Sequence, residues 1–180
     1  KLDMGLADAF ALLYAKTQGP PKWNPIELPP FQPLSDMASA YLLEKYGLSG
    51  QQAARYSLVE GAAFPYEGRV IIPYYNKGGS EIYFNARAFE AGHYPKYKAA
   101  DGRHPLYVPL NGTMWVPRGG WRYPCLVLVE GPFDAIKVTE AGFLCAALGG
   151  TNIPKYLLPD LIKLAGTAPV VVCLDSDALA

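Results

Sequence analysis

The chain has 180 residues, 51% of them hydrophobic, with 16 Lys/Arg balanced by 16 Asp/Glu. That length can bury a core in one or two domains, and no apolar run approaches the roughly 20 residues of a membrane span. Zero net charge argues against a uniformly basic nucleic-acid binder, but the balance is uneven along the chain. Residues 1–68 carry five Lys/Arg and seven Asp/Glu, residues 69–122 eight and three, and residues 123–180 three and six. A basic segment beside an acidic one suits a protein that holds a polyanion with one part and metal ions with the other; an uneven solvated surface is the alternative. Cys125, Cys145 and Cys173 are far apart and give neither paired metal spacing nor an even disulfide framework. With no secretory leader visible, a reduced, cytoplasmic protein is expected.

Leu2, Leu6, Ala9, Phe10 and Leu13 recur at helical spacing and predict a short amphipathic helix within residues 1–18. Residues 19–34 form a proline-rich stretch, with six prolines in the fifteen residues 19–33. Such a segment is an extended linker or a strap over the surface. Ser35 caps a helix expected over 36–46, with Leu34 as a staple and Gly47 at the left-handed stop. Ser49-Gly-Gln-Gln52 reads as a capping box opening a second short helix to about Tyr56.

From Arg69 the period changes. Residues 70–75 and 81–88 are strand-like and are joined by Asn76-Lys-Gly-Gly79, a hairpin signal. Pro73 places its strand at an edge or beside a bulge, and Tyr74, Tyr75 and Tyr83 are expected to be half-buried strand residues. Residues 90–122, rich in Gly, Pro, Tyr and basic groups, predict short strands and loops, with His93 and His104 at the surface.

The last third alternates regularly. A strand at 125–129, a helix near 133–141, a strand at 143–147, a helix near 154–165 and a strand at 169–174 make a βαβαβ unit, hence an α/β fold with a parallel sheet. Thr151 or Asn152 is the candidate cap of its second helix, and Gly149-Gly150 reads as a tight turn rather than a phosphate cradle, lacking the spacing and lysine of a P-loop. The first strand, Leu-Val-Leu-Val, ends on Glu130, with Asp134 four residues later; the last, also read as buried, ends on Asp175-Ser-Asp177. Ligands of open α/β sheets bind at the carboxyl ends of strands, so adjacency would gather Glu130, Asp175 and Asp177 on one edge. Like unit charges about 4 Å apart repel by roughly 4 kcal/mol at an effective dielectric near 20. A hard divalent cation with oxygen ligands relieves that repulsion.

Glu130-Gly-Pro-Phe-Asp134, Leu148-Gly-Gly-Thr151 and Leu174-Asp-Ser-Asp177 resemble the Toprim fold of bacterial-type primases, topoisomerases and some nucleases. Upstream, Tyr41-Leu-Leu-Glu-Lys-Tyr-Gly-Leu-Ser49, Arg69-Val-Ile-Ile-Pro-Tyr74, Asn85-Ala-Arg87 and Pro95-Lys-Tyr97 are similar, in order and spacing, to the amino-terminal half of the DnaG-type primase polymerase domain. The resemblance covers about residues 35–180. It implies an α+β amino-terminal subdomain over 35–123, carrying a template and nucleotide groove, and a Toprim subdomain over 124–180, incomplete because the family's fold continues with a further helix and strand.

The resemblance further implies synthesis of short RNA primers on a single-stranded DNA template from ribonucleoside triphosphates. Mg²⁺ or Mn²⁺ would be the cofactor, with Asp175 and Asp177 as principal ligands, Glu130 activating chemistry or positioning metal, and Asp134 an outer member of the cluster. Arg69, Arg87 and Lys96 are the implied groove cations, and Tyr97 a stacking face worth about 1–3 kcal/mol per base where such stacking occurs. A replicative helicase partner and a phage- or plasmid-encoded setting accompany this reading. The family's zinc module has no counterpart in a cysteine/histidine cluster here. Two alternatives stand beside it: a non-catalytic nucleic-acid-binding module with a truncated Toprim fold, and a Toprim nuclease or topoisomerase.

Overall fold

The computed structural model describes residues 22–76, 78–109 and 123–175. The expected helix at 1–18 and the carboxylate of Asp177 lie outside the described residues. The described chain is mixed α/β: a five-stranded antiparallel sheet in its first part and a three-stranded parallel sheet in its last.

From Lys22 onward the proline-rich segment is a strap. Its Ile26 N–H donates to Glu81 O at 2.8 Å, and Ala62 N–H donates to Pro30 O at 2.8 Å. It ends in a two-residue edge strand, β1 (Phe31–Gln32). Helix α1 (Asp36–Tyr46) starts where Ser35 Oγ accepts the Ala38 N–H and stops at Gly47, whose φ of 67° is open to glycine at little cost. Helix α2 (Gly50–Arg55) opens with the reciprocal Ser49–Gln52 capping box read from the sequence.

Strands β2 (Val59–Gly61), β3 (Arg69–Tyr75), β4 (Glu81–Ala88) and β5 (Tyr97–Ala99) complete the antiparallel sheet in the order β1-β2-β3-β4-β5. Pro73 therefore sits in an interior strand. Pairing with β2 ends at Ile71, however, and the register shifts at Tyr74/Tyr75, so Pro73 lies beyond one neighbour and beside an irregularity. Tyr74 and Tyr83 are buried, at 4% and 7% exposed, while Tyr75 is half-buried as expected.

Strand β6 (Leu126–Val129), helix α3 (Pro132–Glu140), strand β7 (Leu144–Ala147), a 3₁₀ turn (Lys155–Leu157), helix α4 (Leu158–Ala165) and strand β8 (Val170–Val172) form the βαβαβ unit. The sheet order is β7-β6-β8, all parallel. Two expectations fail here. Neither Thr151 nor Asn152 caps the second helix, because the chain enters it through Pro154 and the 3₁₀ turn with no side-chain cap. The last strand is not buried: Val170, Val171 and Val172 are 44%, 43% and 55% exposed on β8, whereas β7, at the opposite edge of the sheet, is buried along its length.

Alternation along the parallel strands divides the core. Leu126, Leu128, Leu144 and Ala146 pack with Leu157, Leu161 and Leu164 on one face. Val127, Val129, Cys145 and Ala147 point the other way, into one cluster with Phe133 and Ile136 of α3, Leu42 of α1, and Val70, Ile72 and Tyr74 of β3. The two sheets thus share a core. Trp23 of the strap packs against both clusters and donates Nε1–H to Asp160 Oδ2 at 3.1 Å.

Helix α3 is held from its far end by α2. Glu140 accepts from Gln52 Nε2 at 2.7 Å, from Arg55 Nη1 at 2.8 Å and from the Tyr56 hydroxyl. The Gln52 and Tyr56 hydrogen bonds, with the Arg55 charge, hold the Glu140 carboxyl below the ordinary glutamate range. A depressed folded pKa stabilises fully above the unfolded value of about 4.3 and is lost as pH falls through the folded one. Acid should therefore lower the melting temperature of the parent more than that of Glu140→Gln. Parallel melting curves across that window would contradict the assignment.

Candidate functional site

The parallel sheet presents its carboxyl ends to one cleft. β6 stops at Val129, and two backbone bonds close the turn behind it, Leu148 N–H to Val129 O and Gly149 N–H to Glu130 O, both 2.9 Å. Glu130 thereby stands at the strand end. β8 runs alongside, and beyond it the Asp175 N–H donates to Glu130 Oε1 at 3.0 Å. The adjacency expected from the sequence is real for Glu130 and Asp175.

Asp134 joins them from the first turn of α3. Gly131 makes room for it: a Cβ there would lie 2.8 Å from Asp134 Oδ2. Desolvation and then the Asp175 charge raise the Asp134 carboxyl above its ordinary pKa, so these two acids sense each other. Gly149, at φ +75°, is the tight turn predicted, and with Gly150 it also lines the cleft.

The opposite wall comes from the antiparallel sheet. Arg87 on β4, Lys96 just before β5 and Tyr97 on β5 face Glu130, Asp134 and Asp175 across a cleft of about 430 Å³. Arg87 is 4% exposed; its Nε donates to Tyr41 Oη at 2.9 Å and its guanidinium lies 4.7 Å from the Tyr97 ring centroid. Burial disfavours the Arg87 charge, but Tyr41, Tyr97 and Tyr46 together outweigh it and raise the pKa above its ordinary value. The cleft is thus acidic on one wall and basic with aromatic rings on the other.

Arg69 is not in this cleft. Cross-strand pairing sets Val70 opposite Arg87 and Arg69 opposite Ala88, so the two arginines project from opposite faces of the sheet. Arg69 lines a separate cavity with Phe64, His93, Tyr94 and Lys98. Its burial pulls its pKa below the ordinary value. Lys45 and Tyr46, at the end of α1, and Asn85 of β4 complete the main cleft and were not singled out from the sequence. Asn85 Oδ1 is buried without a hydrogen-bond partner. The family-like segments 41–49 and 85–87 contained these residues; nothing in their types alone marked them.

Three carboxylates around one cleft are the oxygen donors that suit a hard divalent cation. Among the described residues, no three such groups stand close enough to form a metal cluster by themselves. No helix among the described residues is long and apolar enough to cross a membrane.

No family model matches the chain, and no curated protein sequence matches it. Solved structures do. The DnaG primase catalytic domain bound to ssDNA is 25% identical over 81% of this chain and 56% of its own length, with a TM-score of 0.57. The DnaG catalytic core is 20% identical over 96% of this chain and 62% of its own length, with a TM-score of 0.53. The fold is that of a primase catalytic core. More narrowly, it is DnaG-like, and the chain spans less than two thirds of the length of either structure.

Proposed function

We propose that the cleft is the nucleotidyl-transfer centre of a DnaG-type primase, its parallel sheet a Toprim fold, making short RNA primers on single-stranded DNA. The observation that carries this reading is the meeting of Glu130, Asp134 and Asp175 with Arg87, Lys96 and Tyr97 across one cleft. The DnaG-like fold, and the single-stranded DNA bound by one of its structural neighbours, support it.

Glu130 and Asp175, with Asp177 beyond them in sequence, would hold Mg²⁺ or Mn²⁺. A bound cation supplies charge stabilisation to the attacking and leaving oxygens of an in-line displacement. The remaining roles belong to the chain. Arg87, fixed by the Tyr41 hydroxyl, presents a charge that cannot move away, suited to a phosphate oxygen. Lys96 adds a second cation at the rim, and Tyr97 offers a base a face to stack on. Asp134 holds negative charge at the start of α3, where the helix dipole favours it.

The chain incubated with single-stranded DNA, labelled ribonucleoside triphosphates and Mn²⁺ should yield short RNA that disappears with a chelator or without template. No RNA with either Mg²⁺ or Mn²⁺ would overturn the reading for this chain.

A further inference from the structure

Asn85 stands on β4 between Tyr83 and Arg87, and strand alternation puts all three on one face. It is half-buried and is the one amide side chain among the described residues lining the acidic cleft. Its cross-strand partners, Ile72 on β3 and Ala99 on β5, carry no side-chain donor. The Asn85 nitrogen hydrogen-bonds the Tyr74 hydroxyl, whereas Oδ1 is shielded from water and has no partner among the described residues. An acceptor buried unpaired has lost its hydration with nothing in exchange, so a ligand bringing a donor gains there. The terminal amide torsion is broad, and a modest rotation turns the oxygen toward a group standing in the cleft.

A nucleotide brings three kinds of polar group to such a wall. Its phosphates suit Arg87, which lies about 7 Å along the extended strand from Asn85. Its base suits the ring of Tyr97, paired opposite Arg87. The Tyr46 and Tyr97 hydroxyls are taken up by Tyr41 and by each other. Asn85 remains, and a fixed amide cannot read base edges on a chain that copies a template without favouring one base over the other three. The sugar hydroxyls are common to all four nucleotides, uncharged, and able to donate. Of these, the 3′-hydroxyl attacks in the next addition and must reach the acids. The 2′-hydroxyl takes no part in the chemistry and is free for a standing contact. The small side chain of Ala99, opposite Asn85, leaves room for the sugar.

We infer that Asn85 is the sugar-selecting residue of the cleft, its Oδ1 accepting the 2′-hydroxyl of a ribonucleotide whose phosphates lie on Arg87. The inference deepens the nucleotidyl-transfer reading and rests on it for the nucleotide that fills the cleft. The test is equilibrium competition, which needs no RNA synthesis. Unlabelled ATP and 2′-deoxy-ATP compete, with Mg²⁺ present, against ATP carrying a fluorophore on its γ-phosphate, read by anisotropy. The parent, Asn85→Ala and Asn85→Asp are compared, with circular dichroism verifying each fold and RNA synthesis assayed on the same preparations.

The parent should favour ATP, because a site built to hydrogen-bond a hydroxyl rejects the analogue lacking it. Asn85→Ala should weaken ATP about fivefold to tenfold, the scale of one neutral hydrogen bond, and leave 2′-deoxy-ATP where it was. Asn85→Asp keeps the acceptor but adds a negative charge, so both nucleotides should bind more weakly while their ratio persists. A merely structural role would weaken both alike in the alanine variant. The same pattern is expected for CTP and 2′-deoxy-CTP; an effect confined to ATP would mean that Asn85 reads the base and would overturn the inference. Equal binding of ATP and 2′-deoxy-ATP by the parent, or an unchanged ratio in Asn85→Ala, would overturn it even if RNA synthesis proceeds normally. A collapsed ratio in a chain that makes no RNA would leave the sugar contact standing and sink the nucleotidyl-transfer reading instead.

Discussion

Glu130→Gln should reduce RNA synthesis by about a hundredfold or more, the scale seen when one pre-organised electrostatic group is removed from an active site. The substitution is chosen for what it keeps. Glutamine retains the side-chain oxygen that accepts the Asp175 N–H, so the contact at 3.0 Å and the join between β6 and β8 survive. What it removes is one negative charge from a wall that also carries Asp134 and Asp175. Single-strand affinity should therefore hold or rise slightly, because a polyanion meets less repulsion, while turnover collapses. Titrating binding and initial rate on the same preparations separates the two effects. Equal turnover in the variant and the parent would remove Glu130 from the chemistry.

Phe133→Ala carries the largest expected cost in stability, about 3–5 kcal/mol for a large aromatic lost from a packed core. Phe133 is 1% exposed and its ring stacks on Tyr46 with centroids 4.1 Å apart. It sits in the first turn of α3, one residue before Asp134, and Tyr46 lines the cleft. The cavity would thus open directly behind the site, and the Tyr46 ring would lose its support. Urea denaturation should show the loss as a lower midpoint at unchanged slope. A change below about 1 kcal/mol would mean the site collapses around the gap at little cost.

Much of this arrangement was legible in the chain itself. Apolar runs ending on Glu130 and Asp175, separated by helical spacing, specify parallel strands whose carboxyl ends share an edge, and the pairing of β6 with β8 brings them together. The caps at Ser35, Gly47 and Ser49–Gln52 were equally readable, because each depends on groups within a few residues. What failed was long-range. Arg69 and Arg87 share a hairpin, and whether they share a face turns on a single residue of register. The irregularity at Tyr74/Tyr75 defeats counting parity through the loop. The end of α1 reaching the cleft, and three consecutive valines left exposed on β8, likewise depend on how the sheets meet and on strand order, which no local pattern encodes.

The strap has a kinetic meaning as well. Trp23 and Asp160 are 137 positions apart, yet their contact holds the region where both core clusters meet. Contacts so distant in sequence gain little until most of the intervening chain is ordered. The strap should then dock after the rate-limiting barrier, acting as a latch on an assembled body rather than as part of its nucleus. Trp23→Phe would speed unfolding and leave the refolding rate near that of the parent; a slowed refolding arm in stopped-flow measurements would place the latch in the nucleus instead.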